Sequence, residues 1–321
     1  MKKVAYLLLF FFSICFISGC NNSLSEQDLE QLSKEITQNY TLPYMASGGV
    51  GLSLHNNDGI IEETMSFELK PGERFEKIIS LGNMIDNDRK YKLLLFVDYK
   101  QTAFIVNEST VTEYEFSAKS NENVLIPFKI ENLQQGFHDV FFVIAKYPDI
   151  HSLDCEYRKS TDMNHLLFLR FNILVGNAKV PDVTYTQLEN SKEAVFDGIL
   201  ISNKQDLLKR WLTENKHGND DLKFYIHAGN QSYGKKQNFA VITLLNWKQV
   251  EFNNNQDVIF FSLENGTQTS IPAIVSLPHQ EGVYDLVTIL VHNPYVPLNI
   301  YNRMIETGIR VGVDVQNATE V

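Results

Sequence analysis

From about residue 45 onward the chain alternates short apolar runs with polar breaks. The runs are rich in β-branched and aromatic residues, and Asn, Asp, Gly and Pro separate them, which is the pattern of many short strands. Two runs, KYKLLLFVDYKQ at 90–101 and NFAVITLLNWKQ at 238–249, are almost continuously apolar. A strand that is apolar on both faces belongs in the middle of a packed sheet. LIPFKI at 125–130 holds a proline, which offers no N–H to a ladder, so it is predicted at a sheet edge. Two stretches read as helices instead. In SEQDLEQLSKEITQN (25–39), Leu29, Leu32 and Ile36 form a stripe, and Ser25 with Asp28 imitates a capping box. In NKQDLLKRWLTENKHG (203–218), Leu207, Leu208, Trp211 and Leu212 share a face and Gly218 suits the stop.

The strand region repeats. DYKQTAF (98–104) returns as NWKQVEF (246–252), and QGFHDVFFVIAKYP (135–148) returns as EGVYDLVTILVHNP (281–294). LIPFKI is echoed by SIPAIV (270–275), and IISLGN (78–83) by YIHAGN (225–230). Four blocks in one order, about 145 to 148 positions apart, indicate a duplicated domain. The block order resembles strands B, C, E and F of an immunoglobulin-like or fibronectin-like sandwich, including the Gly-x-Tyr-Asp entry to strand F. That resemblance implies an all-β fold of two tandem immunoglobulin-like β-sandwiches, with Tyr284 as a tyrosine corner. The first copy carries His138 at that position, which leaves its corner bond open. The expected organisation is a spacer over 20–44, domain one over 45–176, a linker or added strand over 177–198, domain two over 199–316 and a tail over 317–321. Between strands F and G, domain one has an excursion, DIHSLDCEYRKSTDMNH.

The N-terminus is of another kind. Lys2 and Lys3 precede an apolar run from Val4 to Ile17, shorter than the ~20 residues that span a bilayer. Charged, apolar and small-residue regions in that order describe a secretory signal. The run ends in Ile17-Ser18-Gly19-Cys20, which resembles the bacterial lipobox. The resemblance implies a signal peptide over 1–19, cleavage before Cys20, and a diacylglyceryl thioether on Cys20 with acylation (palmitate) of the new amino group. Two acyl chains hold a protein durably on a membrane. The competing reading is an uncleaved anchor helix. Asn21 follows the cysteine, so an inner-membrane retention aspartate is absent.

Composition narrows the function classes. Processing removes Lys2 and Lys3, so the formal charge goes from −11 to −13. An acidic exported chain is a poor nucleic-acid binder. Cys15 leaves with the signal and Cys20 carries lipid, so Cys155 is left and no intramolecular disulfide forms. Exported proteins without disulfides are common in Gram-positive bacteria, so the expected location is the outer face of such a cell membrane, with the envelope type left open by the sequence itself. Cys155, beside His151 but without triad-like spacing, reads as a bystander.

The eight histidines are scattered, with no His-x-x-x-His spacing. His151, His165, Asp154, Cys155 and Asp162 share one loop, the nearest approach to a metal cluster, yet they read as a solvated loop. Asp86-Asn87-Asp88 lacks the Gly and Glu of a calcium loop. No nucleophile elbow or phosphate-binding Gly-rich loop occurs. No enzyme, metal or cofactor is expected. Asp139 and Asp285 hold matching repeat positions, which suggests a shared structural role at a turn.

Tyr99 and Trp247 also match. They are either exposed hairpin tips for a partner or a sugar ring, or buried strand C residues. The leading expectation is therefore a non-enzymatic interaction or scaffold lipoprotein with an envelope protein as partner. The alternative is a ligand-binding, specifically carbohydrate-binding, surface lipoprotein that uses Tyr99 and Trp247.

Overall fold

The structure is a computed structural model that describes residues 48–188, 191–206, 208–218, 220–253, 256–298 and 305–317. Cys20 and the predicted helix over 25–39 lie outside the described residues.

The first half contains β1 (Gly49–His55), β2 (Ser66–Leu69), β3 (Phe75–Met84), β4 (Arg89–Val97), β5 (Lys100–Thr102) and β6 (Phe104–Val106). It continues with β7 (Ser109–Val111), β8 (Glu113–Ala118), β9 (Glu122–Ile130) and β10 (Gly136–Lys146). The short helices α1 (Cys155–Lys159) and α2 (Thr161–Asn164) and then β11 (Leu167–Val175) complete it. The second half contains β12 (Thr186–Gln187), β13 (Lys192–Glu193), β14 (Asp197–Ser202), β15 (Thr213–His217), β16 (Asp221–Asn230) and β17 (Gln237–Leu245). After these come β18 (Lys248–Val250), β19 (Ile259–Leu263), β20 (Thr267–Ser276), β21 (Gly282–His292), β22 (Ile305–Thr307) and β23 (Val311–Gln316).

Each half is an all-β, immunoglobulin-like sandwich. In the first, sheet A runs β1-β3-β9-β6-β7 and sheet B runs β2-β11-β10-β4-β5, with β8 also on β4. In the second, sheet C runs β12-β19-β17-β21-β23-β15 and sheet D runs β13-β20-β16-β14. The four repeated sequence blocks fall on β3 and β16, the hairpin turns with β5 and β18, β9 and β20, and β10 and β21.

The molecule has four layers. Leu93, Leu95, Phe142 and Ile144 point into the A–B core, while Leu94, Phe96, Phe141 and Val143, their immediate neighbours in sequence, point the other way. On that other side they meet Ala240, Ile242, Val287 and Ile289 of sheet C, whose alternate residues Phe239, Val241, Leu286 and Leu290 fill the C–D core. This explains the continuous apolar runs. Successive side chains on a strand face opposite ways, so a strand with no polar face must be covered twice, and here the second cover is the other half of the chain.

Two local expectations are corrected, and a third, the segment 177–198, resolves to the added-strand reading. Residues 203–218 are not a helix: bends lead into β15, which pairs in parallel with β23. Trp211 is buried while Leu208 is 40% exposed, so the predicted apolar face does not exist, and strand pairing overrides helical spacing. β9 lies inside sheet A rather than at its edge, but β6 covers only Phe128 and Lys129, and Pro127 falls just beyond that contact. The segment 177–198 contributes β12 and β13, which pair with β19 and β20.

Candidate functional site: the junction of the two sandwiches

The turns that build the junction start in the repeated Asp/Asn-aromatic-Lys-Gln block. Asp98 and Tyr99 have φ of 51° and 67°, and Asn246 and Trp247 have 51° and 68°. Val97 pairs with Lys100 and Leu245 with Lys248, so each is a two-residue hairpin with both central residues left-handed. That conformation is uncommon for a bulky side chain and persists only where its surroundings hold it. Here packing does so: Tyr99 is 0% exposed and Trp247 1%. Neither is a surface tip. Both face the opposite half, which removes the support for a sugar platform.

The Gln after each Lys ties the hairpins together reciprocally. The Gln101 main-chain N–H donates to the Gln249 side-chain oxygen at 2.7 Å, and the Gln249 N–H to the Gln101 side-chain oxygen, also at 2.7 Å. The amide nitrogens complete the pattern, Gln101 Nε2 donating to the Trp247 carbonyl at 3.1 Å and Gln249 Nε2 to that of Tyr99 at 2.8 Å. Trp247 donates through Nε1 to the Pro148 carbonyl at 3.0 Å.

Two arginines repeat the reciprocity. Arg170 of β11 donates to the carbonyls of His292 and Asn293 in the second half, at 2.7 and 3.0 Å. Arg310, just before β23, donates to those of Lys146 and Tyr147 in the first half, at 2.9 and 3.3 Å. Arg170 lies opposite Phe141 in the ladder, and Arg310 adjoins Val311, which lies opposite Leu286, so the two occupy matching places. The junction is a pseudo-twofold written with the same residue types.

The paired aspartates neutralise these cations differently. Asp139, 0% exposed, takes Arg170 through both oxygens at 2.9 and 2.5 Å, and also accepts from the Tyr99 hydroxyl at 2.5 Å and the Tyr295 N–H at 3.0 Å. Burial and the adjacent carboxylate push the Tyr99 hydroxyl well above its usual pKa. Asp285, also 0% exposed, is met by a first-half arginine: Arg158 of α1 donates to it at 2.9 Å, and His151 lies 3.1 Å away. Burial lowers the pKa of Arg310 to about 10, against the pull of Asp285, and its guanidinium lies 4.5 Å over the Trp247 ring.

Each half also lends a loop to the other. The Arg158 guanidinium lies where a side chain on Gly312 would be, so glycine is required there. In return Leu298 joins the A–B core, its N–H donates to Asn172 at 2.7 Å and its carbonyl accepts from Ser66 at 2.6 Å.

The corner predicted at Tyr284 is present, and the bond left open in the first copy is made by His138. The Tyr284 hydroxyl donates to the Gln280 carbonyl at 2.9 Å, and His138 Nε2 reaches the matching Gln134 carbonyl at 2.8 Å. Of the loop read as a poor metal cluster, His151 bonds Asp285, Asp162 pairs with Lys146 at 2.8 Å, and Cys155 is an exposed free thiol at the start of α1. Among the described residues no group of three or more His, Cys, Asp or Glu is placed to hold a metal, and no helix is long and apolar enough to cross a membrane. Sequence reasoning missed Arg158, Arg170 and Arg310. A signal for two of them was available in RFNILV (170–175) and RVGVDV (310–315), which align arginine on arginine.

No family model matches the chain, and no curated protein matches it. Similar solved structures include the CARDB domain of a Pyrococcus furiosus protein, at 9% identity over 40% of this chain and 93% of that one, with a TM-score of 0.25. A PapD-like domain of human CEP192 is 17% identical over 39% of this chain and 82% of that one, with a TM-score of 0.23. The E. coli chaperone DraB is 7% identical over 84% and 97%, with a TM-score of 0.26. At this level of similarity none of them assigns the chain a function.

Proposed function

We propose that the chain is a non-enzymatic interaction or scaffold lipoprotein, held by lipid on Cys20 at the outer face of a bacterial membrane, with an envelope protein as its partner. Lys2, Lys3, the apolar run and Ile17-Ser18-Gly19-Cys20 support the anchor. The observation that carries the non-enzymatic part is how the buried polar groups are used. Asp139, Asp285, Arg158, Arg170 and the Gln101–Gln249 pair all bond across or along the junction. A catalytic group must reach substrate in hydrogen-bond range, and these are committed to joining two sandwiches. The result suits a body that displays surfaces at a fixed separation. Its lack of a disulfide fits a Gram-positive envelope.

The anchor and the partner are tested separately. Cys20→Ala should abolish labelling by a radioactive fatty acid and move the protein from the detergent phase to the aqueous phase, or leave its precursor uncleaved. Unchanged partitioning of a cleaved product would refute the anchor. Crosslinking in intact membranes, followed by mass spectrometry against a Cys20→Ala control, should capture one envelope protein in constant ratio. A chain that crosslinks to nothing would refute the scaffold role.

A further inference from the structure

We infer that the facing surfaces of sheets B and C are mutually specific docking surfaces that hold the halves together without the peptide connection, so the chain is a fused pseudo-heterodimer. The inference does not depend on the lipid anchor. Closed twofold symmetry requires the same contacts in both directions, and the junction meets that requirement twice with identical residue types, in Gln101 with Gln249 and in Arg170 with Arg310. Both arginines grip main-chain carbonyls, so their bonds survive sequence drift at the sites they hold.

The apolar parts have diverged. The first half presents Phe96 and Phe141, stacked at 5.0 Å, with Tyr99 beside them. The second half presents Ala240, Val287 and Ile289 opposite. Interiors pack at close to crystal density, and adding volume to a filled core is penalised. Two first halves would set the Phe96–Phe141 stack against its own copy, and two second halves would take Tyr99 away from Phe260 and Tyr295, whose rings pack on it. Each surface therefore fits the other and not a copy of itself. The exchanged loops add to this, since Arg158 has its counter-ion in the second half and Leu298 has its cavity in the first.

The connection is open to the test. Between β11 and β12 the chain forms no strand, and Val180 is 45% exposed. A protease recognition sequence would be inserted between Val180 and Pro181 in the whole chain, with an affinity tag at the C-terminus. After cleavage the two pieces should co-elute at the volume of the uncut protein in a 1:1 ratio, and the tag should retain the first half. Cut protein carrying Gln101→Ala and Gln249→Ala should release its first half at least about tenfold more readily on dilution. When two cut preparations with first halves of different length are mixed, no particle should contain both lengths. Separation of the cut pieces, folded or unfolded, would overturn the inference, as would a particle holding two first halves.

Discussion

At the level of single residues, the two copies solve one problem with different chemistry. Position 138 is a histidine whose Nδ1 lies 2.7 Å from Asp98, whereas the second copy has Tyr284 and a neutral Asn246. The two substitutions belong together. A tyrosine makes the corner bond without charge, so its neighbour needs none, while a histidine brings a second nitrogen that calls for a carboxylate. The hydrogen bond to Asp98 raises the pKa of His138 above 6.5, with burial opposing it. A group whose folded pKa is raised contributes stability that is fully present below its unfolded value and is lost as pH rises through the folded value. The wild type should therefore lose about 1 kcal/mol relative to a Asp98→Asn/His138→Tyr variant as pH rises from about 6 through the raised value. Thermal midpoints of both proteins across pH 5.5 to 8.5 measure this, and a constant difference would rule it out. The second member of each pair was readable from the repeat, but their coupling was not, because it needs the turn at 98 and the corner at 138 to be seen side by side.

At the level of elements, the strands with the strongest apolar pattern were legible and the connections were not. β4, β10, β17 and β21 announce themselves because burial on both faces leaves no polar period to confuse them. The segment 203–218 misled because leucines and a tryptophan at helical spacing carry no mark of the β23 edge that pairs with Thr213–His217 just after them. The excursion 149–165 was visible only as an interruption and as a loop of scattered polar residues. Its role, placing Arg158 against Asp285 and over Gly312, depends on a strand more than a hundred residues away. Breaking a buried ion pair from one side leaves an uncompensated charge, so Arg158→Ala should destabilise the chain by about 3 to 5 kcal/mol. Gly312→Ala should destabilise it too, by pushing its methyl into the guanidinium. The two effects should not add: once Arg158 is alanine, the methyl at 312 has space. A urea-denaturation cycle of the two singles and the double measures the coupling, and additive losses would place Arg158 elsewhere.

At the level of the whole molecule, the repeated blocks explain themselves by where they lie. Two of them, around DYKQ/NWKQ and FHDVFFVIA/VYDLVTILV, supply the hairpin and the central strand that meet across the junction. The junction is as buried as the cores on either side. Asp139 and Asp285 are as buried as Leu95 or Leu290. Domains joined by small polar contacts move independently, but here the loss of one half would expose Phe96, Phe141, Ile242 and Ile289, leave Arg158 without its counter-ion and leave Arg170 without its carbonyl partners. The halves should therefore unfold together. The chain's two tryptophans report on different places, Trp211 in the C–D core and Trp247 at the junction. Their fluorescence and the far-ultraviolet circular dichroism should follow one superimposable transition in urea. Trp247→Ala, which empties the junction at one point, should move that whole transition by about 3 to 5 kcal/mol rather than split it. Two separated transitions, with the Trp247 signal changing only in the first, would mean instead that the sandwiches part before either unfolds.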